Sequence, residues 1–201
     1  MIKKPKYKIA RRLGAPIFEK TQTQKYAVRA EKKAKNAGFS KPKTEYGFQH
    51  NEKQKARMQY GVSEKQFSNY VKSASTKKSA LAVPSIFESL ESRLDNVVFR
   101  LGLASTRRGA RQMVSHGHIM VNGRKTTIPS RKVLIGDLIS IREGSKDSSL
   151  FKSFDERFAN ITIPEWLSFD GVKKVAEVKG LPKITGDLMF DLNAVMEFYS
   201  R

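Results

Sequence analysis

The sequence predicts an α+β chain in which a mainly helical domain is interrupted by a module of two helices and a small β-sheet. Three observations carry that prediction. Apolar residues recur at helical spacing from Phe67 to Ala74 and again from Ile86 to Leu101. The period then drops to two at Ile119 and Val121, just before Asn122 and Gly123, a pair suited to the positive φ angles of a tight hairpin. A last helical stripe, Leu192, Val195, Met196 and Tyr199, is too short to stand alone and must dock on helices far back in the chain. The expected division is a basic amino-terminal extension over residues 1–44, a discontinuous helical domain over 45–91 and 173–201, and an inserted module over 92–172.

Residues 1–44 are rich in lysine and broken by Gly14, Pro16, Gly38 and Pro42, so they are expected to order mainly against a partner. A first helix is expected from Asn51 as N-cap, with Gln54 three residues on and Gly61 as stop; Lys53, Lys55 and Arg57 form its surface. Ser63 with Gln66 caps the next, whose face is Phe67, Tyr70, Val71 and Ala74, and residues 73–80 read as a connection. Ser85 with Glu88 opens one continuous helix carrying Ile86, Phe87, Leu90, Leu94, Val97, Val98 and Leu101. Gly102 ends it, Ser105 or Thr106 starts the following helix, and Gly117 ends that one. This last helix is two-sided: Ala110, Met113, Val114 and Gly117 pack, while Arg108, Arg111, Gln112 and Ser115 make a polar, electropositive face. Strands are expected at 119–121, at Arg124 to Ile128 before Pro129, at Leu138 to Ile141 and around Val175 and Val178. Ile161, Ile163, Trp166 and Leu167 are expected to bury.

Charge narrows the function. Thirty-nine Lys and Arg against nineteen Asp and Glu leave a net charge of +20, which points to a polyanionic partner. The excess is uneven: +16 over residues 1–80, +5 over 81–144 and close to neutral beyond. Nucleic acid leads, although an acidic protein or a membrane surface attracts the same field. The chain has no cysteine, which removes disulfides, thiolate metal sites and thiol nucleophiles. No apolar run approaches the ~18 residues of a membrane span. His116 and His118 lack further ligands at metal-binding spacing and are read as hydrogen-bonding groups for phosphate or ribose, or simply as turn residues. Gly-rich phosphate loops and serine elbows are missing too. Arg93, Arg100, Arg107, Arg108, Arg111 and Lys125 are expected on the outside of the module.

Residues 92–130, SRLDNVVFRLGLASTRRGARQMVSHGHIMVNGRKTTIPS, resemble the RNA-binding module (alpha-L type) of the small-subunit ribosomal protein S-four family. EYGFQHNEKQKARMQYGVSEKQF at 45–67, PKYKIARRLG near the start and EFYSR at the end are similar to the same family. The resemblance implies a non-catalytic constituent of the small ribosomal subunit. It also implies a primary binder of small-subunit (16S) ribosomal RNA at a junction of the 5′ domain, nucleating assembly. Candidate contacts are Arg93, Arg100, Arg107, Arg108, Arg111, Gln112, Ser115, His116, His118 and Lys125 in the module, with Lys53, Lys55, Arg57, Arg11 and Arg12 outside it. Lys41 and Lys43 fall near the family's messenger-facing stretch. Further implications are proteins S-three and S-five as neighbours near the messenger entry path, and a place in a cytoplasmic or organellar ribosome. No cofactor is expected, and the metal held by amino-terminal cysteines in many members has no ligands here. Arg107, Arg108 and Gly109 depart from the family's usual single arginine.

Two rival readings remain at this stage. Arg93, Leu94 and Asp95 resemble the acidic motif of pseudouridine synthases, which gives an RNA-modifying enzyme with Asp95 as its acid. The other is a free RNA chaperone using the same module.

Overall fold

The structure is a computed structural model that describes residues 5–35, 44–76, 79–146, 148, 150–151, 158, 161–171, 174–186 and 188–200. It divides into two units, one of residues Met1–Val83 with Gly186–Arg201, the other of Pro84–Thr185.

In the first unit, α1 (Lys6–Leu13) ends at Gly14, whose φ of 72° is the left-handed stop that glycine supplies without strain. A 3₁₀ turn, Glu19–Thr21, leads to α2 (Gln24–Lys35). Residues 1–44, expected to order mainly against a partner, hold a small buried cluster of their own. Ile9, Leu13 and Ile17 are buried and pack with Ala15, Phe18 and Met58, the last of which lies on the next helix. Ile9 and Leu13 are four residues apart and share a helix face, a narrow stripe that the surrounding lysines obscure in the sequence. α3 (Glu45–Tyr60) begins earlier than expected: its N-cap is Thr44, whose Oγ1 accepts from the Gly47 amide at 3.2 Å. Asn51 lies inside the helix, because a cap needs a free first turn and the amides there are already bonded. α4 (Glu64–Ser75) has the expected cap, with Ser63 Oγ accepting from the Gln66 amide at 3.3 Å. Phe67, Val71 and Ala74 are buried and Tyr70 half-buried.

The closing helix, α8 (Leu192–Ser200), packs on α3 and α4. Asp191 Oδ1 caps it by accepting from the Asn193 amide at 2.7 Å, and the Asp191 amide donates to Glu52 Oε2 on α3 at 3.0 Å. Lys53 is enclosed here, 6% exposed, with its ammonium 2.9 Å from Glu64 Oε1 and 4.2 Å from the Phe198 ring centre. Glu64 also accepts from Arg57 at 3.0 Å and from the Tyr199 hydroxyl at 2.8 Å. Partial burial alone would raise the Glu64 pKa, but the Lys53 and Tyr199 hydrogen bonds and the Lys53 and Arg57 charges outweigh it and hold it below the usual carboxylate range. A depressed folded-state pKa adds stability above the ordinary carboxylate pKa, and that stability is lost as pH falls through the folded value. Glu64→Gln is therefore expected to cost about 1 kcal/mol at neutral pH, solvent screening of this half-exposed group included, and to flatten the acid limb of the stability curve. Urea unfolding at pH 7 and below pH 4 measures both.

α5 (Ser79–Glu91) has Pro84 inside it, and with α4 running to Ser75 the connection expected over 73–80 is helical at both its ends. The continuous helix expected from Ser85 to Leu101 is also corrected. Ser85 is an interior residue of α5, and the stripe breaks after Glu91 before resuming in α6 (Leu94–Arg100). Arg93 is extended (φ −68°, ψ 135°), and residues 129–133 cross at the break. Arg131 O accepts from the Leu94 amide at 2.9 Å, Pro129 O from the Asp95 amide at 3.0 Å, and Ser92 O from the Val133 amide at 2.9 Å. The crossing segment thus satisfies amides that a helix start leaves open. Hydrophobic spacing is blind to such a break, since Leu90 and Leu94 stay on the buried side.

Thr106 caps α7 (Arg107–Ser115) by accepting from the Gly109 amide at 3.0 Å. Strands β1 (Ile119–Val121), β2 (Arg124–Lys125), β3 (Leu138–Ile141), β4 (Leu167–Asp170) and β5 (Val175–Val178) form one antiparallel sheet in the order β2-β1-β3-β5-β4. Asn122 (φ 52°) and Gly123 (φ 73°) make the expected turn, and the Asn122 side chain bonds Asp137 and the Leu138 amide. β2 is shorter than the expected return strand, and β4 has no counterpart among the expected strands. Residues 84–91 and 174–185 lie in this unit and not in the helical one, the latter because β5 sits between β3 and β4. Leu94, Val97, Val98 and Leu101 of α6, Ala110 and Val114 of α7, and Ile119, Ile139, Ile141 and Ala176 of the sheet form its core.

Candidate nucleic-acid interface

α7 is buried along Ala110, Met113 and Val114, so its opposite side faces solvent. Arg108, Gln112, Ser115 and His116 are exposed there. Gly117 follows with a φ of 73°, and a Cβ at that position would run into Lys125 Cε. The missing side chain lets the Lys125 stem lie across the helix end and brings the hairpin's ammonium to it. Arg108, Gln112 and Lys125 have no side-chain partner among the described residues. Their charges and donors are therefore open to an incoming ligand.

The other arginines expected on α6, α7 and the break before them are engaged. Arg93 is corrected from surface to interior: it is 3% exposed and donates through Nε and Nη2 to Asp95 Oδ1 and Oδ2 at 3.0 and 2.9 Å. Arg111 donates to Asp95 Oδ2 through Nε at 2.8 Å and Nη2 at 2.6 Å. Asp95, itself 3% exposed, therefore holds two guanidinium groups. Arg100 donates to both oxygens of Glu91, at 2.9 and 2.7 Å. Arg107 donates to Asn96 Oδ1 at 2.9 Å and lies 4.4 Å from the Phe99 ring centre. These pairs stiffen the polar side of α6 and α7 and leave Arg100, Arg107 and Arg111 partly accessible.

His118 Nδ1 is 2.9 Å from Ser145 Oγ, and its ring is 6.1 Å from that of His116. Burial, then the charges of His116 and Arg142, hold His118 below the usual imidazole range. A base with a depressed folded-state pKa binds fewer protons folded than unfolded, so this contribution to stability falls as pH drops through the ordinary imidazole value. His118 is expected to titrate by NMR below the ordinary imidazole value, and Arg142→Ala to raise its midpoint. A midpoint unmoved by that substitution would remove Arg142 as a cause.

Outside this unit, Arg11 and Arg12 are exposed on α1, with Arg11 Nε donating to Tyr7 O at 3.3 Å. Lys53 is corrected from surface to interior, as described above. Lys55 pairs with Glu52 at 2.6 Å, and Arg57 with Glu64 and with Gln54 Oε1, the latter at 2.8 Å. Lys41 and Lys43 lie outside the described residues. Absent from the expected contacts are exposed Arg124 on the hairpin and the cations of α2, Lys25, Arg29, Lys32 and Lys33, which are exposed on a helix within the expected basic extension. Their spacing at i, i+4, i+7 and i+8 was the available signal.

Among the described residues no group of three or more His, Asp and Glu could hold a metal ion, and no helix is long and apolar enough to cross a membrane.

Comparison with known proteins decides the family. The "S4 domain" family model matches residues 92–139, and "Ribosomal protein S4/S9 N-terminal domain" matches residues 1–90. Small ribosomal subunit protein uS4 of Syntrophomonas wolfei is 43% identical over 169 residues, 84% of this chain and 80% of the relative. Its counterparts in Acetivibrio thermocellus and Acinetobacter baylyi are each 40% identical, covering 96% and 98% of this chain and 96% and 97% of their own lengths. The chain belongs to the uS4 family. It is thus a small-subunit ribosomal protein with an RNA-binding S4 domain, a structural protein and not an enzyme. Within this uS4 chain, the Asp95 carboxylate that resembles a catalytic acid is instead the buried counterion of Arg93 and Arg111.

Proposed function

We propose that this uS4 protein is a primary binder of small-subunit (16S) ribosomal RNA at the 5′ domain, and that its binding helps to nucleate subunit assembly. The observation that carries the reading is the exposed set Arg108, Gln112, Ser115, His116 and Lys125, standing on one helix and one hairpin braced by a common core. Arg108 and Lys125 supply charge for phosphates, and Gln112, Ser115 and His116 supply hydrogen bonds for ribose hydroxyls. Arg100, Arg107, Arg111 and His118 line the same unit as partly engaged contacts, and Arg11, Arg12, Lys55 and Arg57 extend the basic surface of the other. Buried Arg93 and Lys53 act through the fold and touch no RNA.

Side chains cannot read the deep A-form major groove, so selectivity comes from the contour of a folded junction and not from base order. A rigid donor array suits that task, because little entropy is lost in arranging it. Placement beside proteins S-three and S-five, close to the messenger entry path, belongs to the same proposal and rests on the family resemblance. Hydroxyl-radical footprinting of 5′-domain RNA with the intact chain tests it. Protection at one multi-helix junction, surviving an excess of unrelated RNA, is the expected result. Equal affinity for unrelated RNA of the same length would favour the free chaperone.

A further inference from the structure

We propose that the groove between α1 and α2 is a seat for unpaired RNA, taking a base against the Tyr7 and Tyr26 rings and phosphates on the cations around them. This deepens the reading above and rests on it for the identity of the RNA. The groove encloses about 710 Å³, the size of a small-ligand pocket and room for one or two nucleotides. Tyr7 and Tyr26 stack at 5.7 Å between ring centres with planes 28° apart. Tyr7 nevertheless remains 50% exposed, so the pair is a ready platform and not part of the core. Arg11, Lys25, Arg29 and Lys33 line the same groove, and no acidic side chain does among the described residues.

The helix geometry makes this a directed arrangement. Lys25, Arg29 and Lys33 recur at four-residue steps, and Tyr26 precedes Arg29 by three, which sets ring and charges on adjoining rows of α2. Lys25, Arg29 and Lys33 have no acidic partner among the described residues. Like charges gathered without counterions repel one another, and a polyanion relieves that repulsion. Rings add what charge alone lacks: stacking on a base face, which every nucleotide offers and a duplex hides. An acidic peptide satisfies the cations and leaves the tyrosines idle. The combination therefore favours single-stranded RNA.

The test uses the full chain and a short single-stranded oligoribonucleotide with a central 2-aminopurine. Binding is expected to quench the probe, with an unlabelled single strand competing at least about tenfold better than a blunt duplex of equal length or an oligoglutamate peptide. Tyr26→Leu is expected to weaken binding by about 5- to 100-fold with the salt slope unchanged, and Tyr26→Phe to restore it. Arg29→Gln is expected to keep the quench and lower the slope by about one. Should Tyr26→Leu fail to fold by circular dichroism, Tyr7→Leu gives the same reading from the exposed ring. Wild-type affinity in the Leu variants, or equal competition by duplex or peptide, overturns the groove as a single-strand seat. A lost 5′-domain footprint with this titration intact would instead sink the proposed ribosomal target and leave the groove standing.

Discussion

Asp95→Ala is expected to destabilise the second unit by about 3–5 kcal/mol. The magnitude follows from what stays behind. Arg93 is 3% exposed and directs two hydrogen bonds at the Asp95 carboxylate, so removing the anion takes away the carboxylate that a guanidinium deep in the protein donates to twice. Arg111 loses the same partner but is about one-quarter exposed, so water compensates it. The site is also mechanical: the Asp95 amide is bonded to Pro129 O, where the crossing segment closes the break between α5 and α6. Asp95→Asn keeps the shape and part of the hydrogen bonding while deleting the charge, and is expected to cost less than the alanine change. Urea unfolding followed by near-ultraviolet signal from Trp166, which packs against this core, measures both. A midpoint unchanged in Asp95→Ala would mean that the ion pair is dispensable. The enzymatic rival treated the same residue as a free acid, which a carboxylate bound by two guanidinium groups is not.

Asp95 also marks the limit of what the sequence discloses. Apolar spacing located α6, α7 and the turn at Asn122 and Gly123 because burial on one face imposes a period that survives any surface decoration. It could not reveal that α5 and α6 are separate, since the interruption at Arg93 conserves the buried side and is stabilised by residues some 40 positions later. Such partners are non-local, and a linear pattern carries no trace of them. The same reason explains Lys53 and Arg93. A charged residue between apolar ones looks solvated unless its counterion is known, and Glu64 reaches Lys53 only because the turn at Gly61 brings the first residue of α4 back to α3. Arg108 and Lys125 were legible as surface groups from periodicity and turn chemistry, both local signals. The α1–α2 groove was hidden in another way: its lysines dominate the composition, and the apolar residues that order α1 and the turn after it, Ile9, Leu13, Ile17 and Phe18, are too few to register as a core.

The division between open and engaged cations leads to the second large effect, on RNA affinity. Arg108 and Lys125 carry full charges with no side-chain partner among the described residues, so each can release a condensed counterion on meeting a phosphate. One such contact contributes about one unit to the salt slope, equivalent to roughly tenfold in affinity at 0.1 M salt. Arg108→Ala with Lys125→Ala is therefore expected to weaken binding to 5′-domain RNA about 100-fold at that salt and to lower the slope by about two. Neither substitution touches the core, so the unfolding midpoint should stay within about 0.5 kcal/mol of the parent. Arg111→Ala is expected to behave oppositely. Its guanidinium is shared with Asp95, so stability falls first, and the slope changes by less than one. Filter-binding titrations from 50 to 300 mM salt, paired with urea unfolding of the same variants, separate the two behaviours. A double variant with an unaltered slope would remove Arg108 and Lys125 from the contact surface and shift the burden of recognition to Arg11, Arg12 and the basic helices of the first unit.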